Sequence, residues 1–152
     1  MTLRTLDIHC IHFFKRFANP FSRVAFFVIF FWFGILKVFD LSPASPLVKA
    51  LFETTMPFMP FSTFMALFGL FECMIGVLFI IPRLERVVLP LLLVHMITTG
   101  LPLILLPQVT WSGFLIPTLE GQYIIKNLAL IAAAMGVMAH LHPIHAYHFL
   151  KK

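Results

Sequence analysis

Apolar residues divide most of the chain into four long runs. They cover about residues 21–39, 61–81, 87–106 and 121–140. At ~1.5 Å per residue, a helix of this length can cross the ~30 Å hydrocarbon core of a bilayer. Helices are favoured over barrel strands, because the runs are too long and continuous for such strands and an open strand edge in lipid would leave backbone groups unpaired. The pattern therefore predicts an all-α membrane protein in which residues 21–141 form a bundle of four transmembrane helices.

The segments outside these runs have a different pattern. Within residues 1–20, apolar residues recur from Leu6 to Phe14 and are followed by Lys15 and Arg16, as is typical of an amphipathic helix on a membrane surface. Asn19-Pro20 is predicted to end that helix. Residues 142–152 form a basic tail rich in histidine, and residues 47–55 are predicted to form a short helix in the loop after the first run.

Composition supports the membrane class. Of the 152 residues, 61% are hydrophobic and 11% are charged, whereas a soluble domain carries about a quarter charged residues. The net charge of +5 could indicate nucleic acid as a partner. The basic residues flank apolar runs and form no patch, so we expect the lipid bilayer as the partner and no nucleic acid.

The distribution of Lys and Arg predicts an orientation. Eight of these residues lie before or at the start of the first run, in the turn after the second run or at the C-terminus, and three lie elsewhere, namely Lys37, Lys49 and Lys126. Positive charge accumulates on the cytoplasmic side of membrane proteins. Both termini are therefore predicted to be cytoplasmic.

Each run carries an ionisable residue inside its apolar stretch, namely Lys37, Glu72, His95 or Lys126. A charge at the bilayer centre costs ~2.5–3.5 kcal/mol, so such groups rarely face lipid. Small residues at helical spacing, namely Gly34, Gly69 and Gly76, would let another helix approach closely. We therefore expect a polar nest inside the bundle, with Glu72 paired to Lys37, Lys126 or both. Its predicted members are Lys37, Glu72, His95, Gln122 and Lys126.

Other roles for these residues stay open. Lys37 and Lys126 are close enough to the membrane surface for their ammonium groups to reach water without a partner inside the bundle. Glu72 lies too deep for this, but it could be a structural partner of a lysine or a protonated acid bonded across helices. His95 could serve packing alone.

The sequence predicts neither a metal site nor a catalytic site. Six histidines, His9, His12, His140, His142, His145 and His148, fall on the predicted cytoplasmic side, some at spacings of three. Neutral imidazoles so placed could bind zinc or copper, but no set of three or four converging ligands is evident, so no metal site is predicted. His95 is the single histidine predicted to lie inside the membrane, whereas an internal haem would need two histidines paired across helices, so no haem is expected. No phosphate loop, nucleophile set or C-x-x-C pair is present, so no catalytic residue is assigned.

Three segments carry a resemblance to a known family. They are FWFGILKVFDLSPASPLV, LFGLFECMIGVLFIIPRLER and PTLEGQYIIKNLALIAAA. Together with the four-run layout they resemble the DoxX-like family of small bacterial membrane proteins, in particular a branch similar to the reactive-chlorine-resistance membrane proteins. The positions that match are Gly34, Lys37, Glu72, Gly76, Gly121, Gln122 and Lys126.

The resemblance implies a bacterial inner-membrane protein linked to quinone-dependent sulfur oxidation or to oxidative stress, with no independent enzymatic reaction to transfer. We therefore expect an accessory subunit that binds a quinone or another hydrophobic ligand, or that docks a redox protein or a second copy of itself. A small oligomeric transporter or proton-conducting subunit is the first alternative, with Glu72 and His95 as relay sites. A membrane scaffold or assembly protein without ligand is the second.

Overall fold

The computed structural model describes residues 3–139 and 141, and most of them are helical. The elements are α1 (Leu3–Val38), α2 (Ser45–Thr55), α3 (Phe61–Ile80), α4 (Glu85–Gly100), α5 (Pro102–Leu105), α6 (Pro107–Thr110), β1 (Trp111–Gly113), β2 (Ile116–Pro117) and α7 (Leu119–Met138). Four helical segments are long and apolar enough to cross a membrane: α1, α3, α4 continued by α5, and α7. The predicted all-α class and the four long helices are therefore confirmed. The predicted tail, residues 142–152, lies outside the described residues.

Helix α1 differs from its prediction. It runs without a break from Leu3 to Val38, with Pro20 inside it. The prediction that Asn19-Pro20 ends a separate surface helix is therefore wrong. Proline removes one helical hydrogen bond, but its φ of about −65° is compatible with a helix, so a long helix can continue through it at a cost of ~3 kcal/mol. The apolar residues before Pro20, among them Leu6, Phe13 and Phe14, are exposed in this continuous helix.

The end of α1 is fixed by its backbone. Asp40 has a positive φ of 56°, the left-handed conformation that commonly ends helices. The Leu41 N–H then donates to the Leu36 carbonyl at 2.7 Å, and the Asp40 N–H donates to the Lys37 carbonyl at 3.2 Å. These two bonds form a Schellman motif. They end the helix at Val38, one residue after Lys37, and so fix the position of the lysine in the last turn.

Three glycines bring the backbones of α1 and α3 into contact. A Cβ atom on Gly34 would lie 2.5 Å from the Gly69 carbonyl oxygen, and one on Gly69 would lie 2.6 Å from the Gly34 carbonyl oxygen. A Cβ on Gly76 would lie 2.8 Å from the backbone nitrogen of Phe31. Only glycine leaves room for this approach, and α1 with α3 forms the largest helix pair in the bundle.

Aromatic and aliphatic side chains fill the space beside this pair. The Phe26 ring of α1 stacks on the Phe79 ring of α3, with centroids 4.2 Å apart. Val88 and Leu92 of α4 and Val137 of α7 are almost fully buried against the same cluster. Since Phe26 meets Phe79 while Gly34 meets Gly69, α1 and α3 run antiparallel.

The two ends of the bundle differ. The short-turn end carries residues 81–84, and the long-loop end carries residues 39–60 and 101–118. The long-loop end includes α2, close to its predicted position, and an unpredicted hairpin in which Trp111 pairs with Pro117 and Gly113 with Ile116. The Trp111 indole donates to the Leu103 carbonyl at 3.0 Å. A side chain contact therefore ties this hairpin to the end of the third long helix.

Candidate functional site

A buried triad of ionisable side chains joins three helices. The Lys37 ammonium of α1 lies 2.5 Å from Oε2 of Glu72 in α3. The other Glu72 oxygen, Oε1, lies 3.0 Å from Nε2 of His95 in α4. Lys37, Glu72 and His95 are 7%, 4% and 3% exposed. These residues therefore form one buried polar site that joins three helices, and we call them the triad.

Helix direction explains why Lys37 and Glu72 meet. A helical side chain leans towards the N-terminus of its own helix. Because α1 and α3 are antiparallel, Lys37 leans away from the long-loop end while Glu72 leans towards it. The close approach at Gly34 and Gly69, one turn from each charged residue, brings the two side chains together.

Aromatic rings enclose the triad. The His95 ring makes edge contacts with the rings of Phe30 and Phe68, with centroids 5.2 and 5.3 Å away, and with Phe71 at 6.2 Å. The Lys37 ammonium lies 5.5 Å from the centroid of the Phe68 ring. These rings exclude water from the ion pair, which strengthens its electrostatic attraction.

One atom of the triad lacks a hydrogen-bond partner among the described residues. Nδ1 of His95 is buried and unpaired. The hydroxyl groups of Thr98 and Thr99 lie on the same helix but donate to the His95 backbone carbonyl, at 2.8 and 2.9 Å, and leave the ring alone. A buried polar atom without a partner is unfavourable, so Nδ1 is a place where a further group could bind.

The structure does not bring Gln122 and Lys126 to the triad. Both are exposed on α7, and the Lys126 ammonium lies over the ring of Tyr123, 4.9 Å from its centroid. Of the predicted alternatives for Glu72, the structure therefore shows the pair with Lys37 and not one with Lys126. The side chain that α7 directs at α4 belongs to Asn127, whose Nδ2 donates to Thr99 Oγ1 at 3.4 Å. Adjacent helical residues point ~100° apart, so the face that carries Asn127 turns Lys126 away.

A second ion pair was missed by the sequence analysis. An Arg23 Nη1 group of α1 bonds Oε1 of Glu85 at the start of α4, and these side chains are 15% and 8% exposed. Arg23 was expected only to set topology. Its spacing from Lys37 could have predicted an inward position. Arg23 lies fourteen residues, about four turns, before Lys37 and so on the same helix face.

An apolar groove lies between α1 and α7 towards the short-turn end. Its volume is about 180 Å³, and its lining includes Ala25, Phe26 and Ile29 of α1 with Leu130 and Ala133 of α7. The Phe26 ring stacks on Phe30, which contacts His95. Two phenylalanine rings in series, Phe26 and Phe30, therefore connect the groove to His95 of the triad.

Metal binding has no candidate in the part of the chain that the structure describes, where no three His, Cys, Asp or Glu residues are grouped to hold an ion. His9 bonds the Thr5 carbonyl through Nδ1 at 2.8 Å. Cys10 and Cys73 are free thiols. The histidines from His140 onwards lie outside the described residues.

Comparison with known proteins adds no assignment, since no family model, curated protein or solved structure matches the chain.

Proposed function

We propose that this chain is an integral membrane protein of DoxX-like type that binds a small hydrophobic ligand with a polar head, of the quinone class, at the triad. In this proposal it is an accessory subunit of a redox or oxidative-stress system in a bacterial inner membrane, with both termini cytoplasmic. The buried triad of Lys37, Glu72 and His95 is the observation that carries the proposal.

The energetic argument starts from the position of the charges. Glu72 lies near the middle of α3, and a charged side chain at such depth in a bilayer costs ~2.5–3.5 kcal/mol. A well-packed apolar trio could hold three helices together without this cost. Ionisable groups retained inside a membrane bundle therefore favour a functional site, and the unpaired His95 Nδ1 favours a ligand that forms a hydrogen bond.

The surroundings of the triad suit an apolar ligand. Phenylalanine rings surround His95, and the groove between α1 and α7 lies beyond Phe26 and Phe30. A site with mostly apolar walls and a few polar groups is typical of small-molecule binding. The ligand head would bond to the triad while its tail occupies the groove or the lipid.

Mass spectrometry of organic extracts tests the proposal. Protein purified in mild detergent from its native membrane should retain one hydrophobic molecule per chain. Glu72→Gln should lose it while keeping the helical circular dichroism spectrum. Glu53→Gln is the matched control, because Glu53 is 64% exposed and pairs loosely with Lys49 at 3.9 Å. Recovery of bulk phospholipid alone from all three proteins would refute ligand binding.

Proton conduction is the second candidate, favoured by the 3.0 Å contact between His95 Nε2 and Glu72 Oε1. Such a contact lets a proton pass between the two groups. Proteoliposomes should then dissipate a proton gradient, and His95→Phe should abolish the flux. Absence of flux in the wild-type protein would exclude this candidate.

A scaffold role without ligand is the third candidate, favoured by the glycine contact of α1 and α3, which fixes the helix register at the triad. This role predicts that Glu72→Gln lowers the amount of protein in the membrane together with any docked redox protein or second copy. A normal protein level combined with lost ligand would contradict it.

A further inference from the structure

The contacts of Glu72 favour one arrangement of the protons in the triad. Lys37 donates to Oε2 at 2.5 Å, which is a charge-assisted contact between an ammonium and a carboxylate. A carboxylate oxygen only accepts hydrogen bonds, so Oε1 at 3.0 Å requires a hydrogen on His95 Nε2. A second cation beside Lys37 in this buried space is unfavourable, so a Glu72 carboxylate favours a neutral His95 whose Nδ1 carries a lone pair.

That lone pair needs a donor. The side chains whose rings surround His95 are Phe30, Phe68 and Phe71, which have no polar hydrogen. The Thr98 and Thr99 hydroxyl groups donate to the backbone carbonyl of His95 instead. Nδ1 is therefore a buried acceptor that a hydrogen-bond donor would satisfy, while a carbonyl oxygen would not.

A row of rings connects the surface helix α2 to this acceptor. The Phe52 and Phe64 centroids are 5.0 Å apart, Phe64 and Phe68 are 5.7 Å apart, and Phe68 and His95 are 5.3 Å apart. Phe64 and Phe68 are partly exposed, so this row of rings reaches the surface of the bundle. Aromatic rings pack well against a flat aromatic molecule.

We infer that the triad selects an aromatic ligand with a hydroxyl group, which donates to His95 Nδ1, and that within the quinone class it prefers the reduced quinol to the quinone. This inference rests on the proposed function, because it specifies the head group of that ligand. A quinone has carbonyl oxygens in place of the hydroxyl groups, so it leaves Nδ1 without a donor.

Two probes that differ in one hydrogen-bond donor test the inference: 4-hexylphenol and its methyl ether, 4-hexylanisole. Titration calorimetry on the full chain in mild detergent should show that the phenol binds at least about tenfold more tightly, since a site that bonds a hydroxyl group rejects an analogue without it. His95→Phe, which keeps an aromatic ring, should remove the difference. His9→Phe is the matched control on an exposed histidine and should preserve it.

The outcomes separate the inference from the proposed function. Equal binding of both probes, or tighter binding of the ether, would overturn the preference for a hydroxyl group while a ligand site remained. Binding of neither probe would overturn both. Because His95→Phe could fail to fold, nitrogen-15 NMR of the wild-type protein gives a second test. A hydrogen on His95 Nδ1 in the ligand-free protein would overturn the inference, and a bare Nδ1 that shifts when the phenol binds would support it.

Discussion

Replacing Lys37 by methionine removes the positive half of the ion pair inside the triad. Methionine keeps an unbranched side chain near the Phe68 ring, but the ammonium 2.5 Å from Glu72 is lost. Glu72 is 4% exposed, so water cannot replace the missing counter-charge. Removal of one partner from a buried ion pair costs ~3–5 kcal/mol.

His95 limits this loss. Its Nε2 lies 3.0 Å from the second oxygen of Glu72 and can still donate to the carboxylate. Proton uptake by His95 or by Glu72 would then relieve the uncompensated charge. We therefore expect Lys37→Met to lower the free energy of unfolding by ~3 kcal/mol, the lower end of the range for a buried pair.

Equilibrium unfolding in mild detergent measures this change. Lys49→Met is the matched control, because Lys49 is 58% exposed and its pair with Glu53 on the same helix contributes at most ~0.5 kcal/mol. The double variant Lys37→Met/Glu72→Gln should be more stable than Lys37→Met, since it leaves no unpaired charge. A loss for Lys37→Met no larger than for Lys49→Met, or no recovery in the double variant, would refute the electrostatic account of the triad.

Three further changes test the packing around the site, all by thermal and chemical unfolding in detergent. Gly69→Ala should lower the free energy of unfolding by ~1–3 kcal/mol, because its Cβ would lie 2.6 Å from a backbone carbonyl oxygen of α1. Gly100→Ala is the control and should have little effect, because no atom lies within 4 Å of its Cβ. Equal effects of the two changes would contradict the close helix contact. Arg23→Glu should destabilise the bundle, because it places two carboxylates side by side. The exchange Arg23→Glu/Glu85→Arg should restore part of the lost stability. A double variant less stable than the single variant would argue against the pair. Thr118→Val should cost ~0.5–2 kcal/mol, because the hydroxyl accepts from Gly121 N at the start of α7; an unchanged midpoint would show that this cap contributes nothing.

The sequence was sufficient for features that depend on run length and on spacing. Four apolar runs predicted the four long helices, since length decides whether a helix can cross a bilayer. The spacing of Gly69 and Gly76 around Glu72 indicated where another helix could approach, and the structure places α1 there. Glu72 was predicted to pair with Lys37, with Lys126 or with both, and the sequence could not choose among these alternatives.

The sequence did not predict which face of each helix points into the bundle. On α7, apolar residues occur all around the helix, so the pattern did not show that the face with Asn127 meets α4 while Lys126 points outward. Pro20 was misread for a different reason. Asn-Pro often ends a helix, but α1 continues as a helix on both sides of Pro20. The hairpin at Trp111 is too short to produce an alternating pattern.

The two ion pairs of α1 have a mechanical consequence. Arg23 and Lys37 are separated by fourteen residues, ~21 Å along one rigid rod, and each is attached to a different helix. A slide or rotation of α1 would break both pairs together, so the two pairs oppose movement of α1 relative to α3 and α4. Helix α7 meets these helices through apolar side chains and a 3.4 Å hydrogen bond from Asn127. If a ligand enters from the lipid, we expect α7 to move away from α1. The two helices would then separate along the groove that already lies between them.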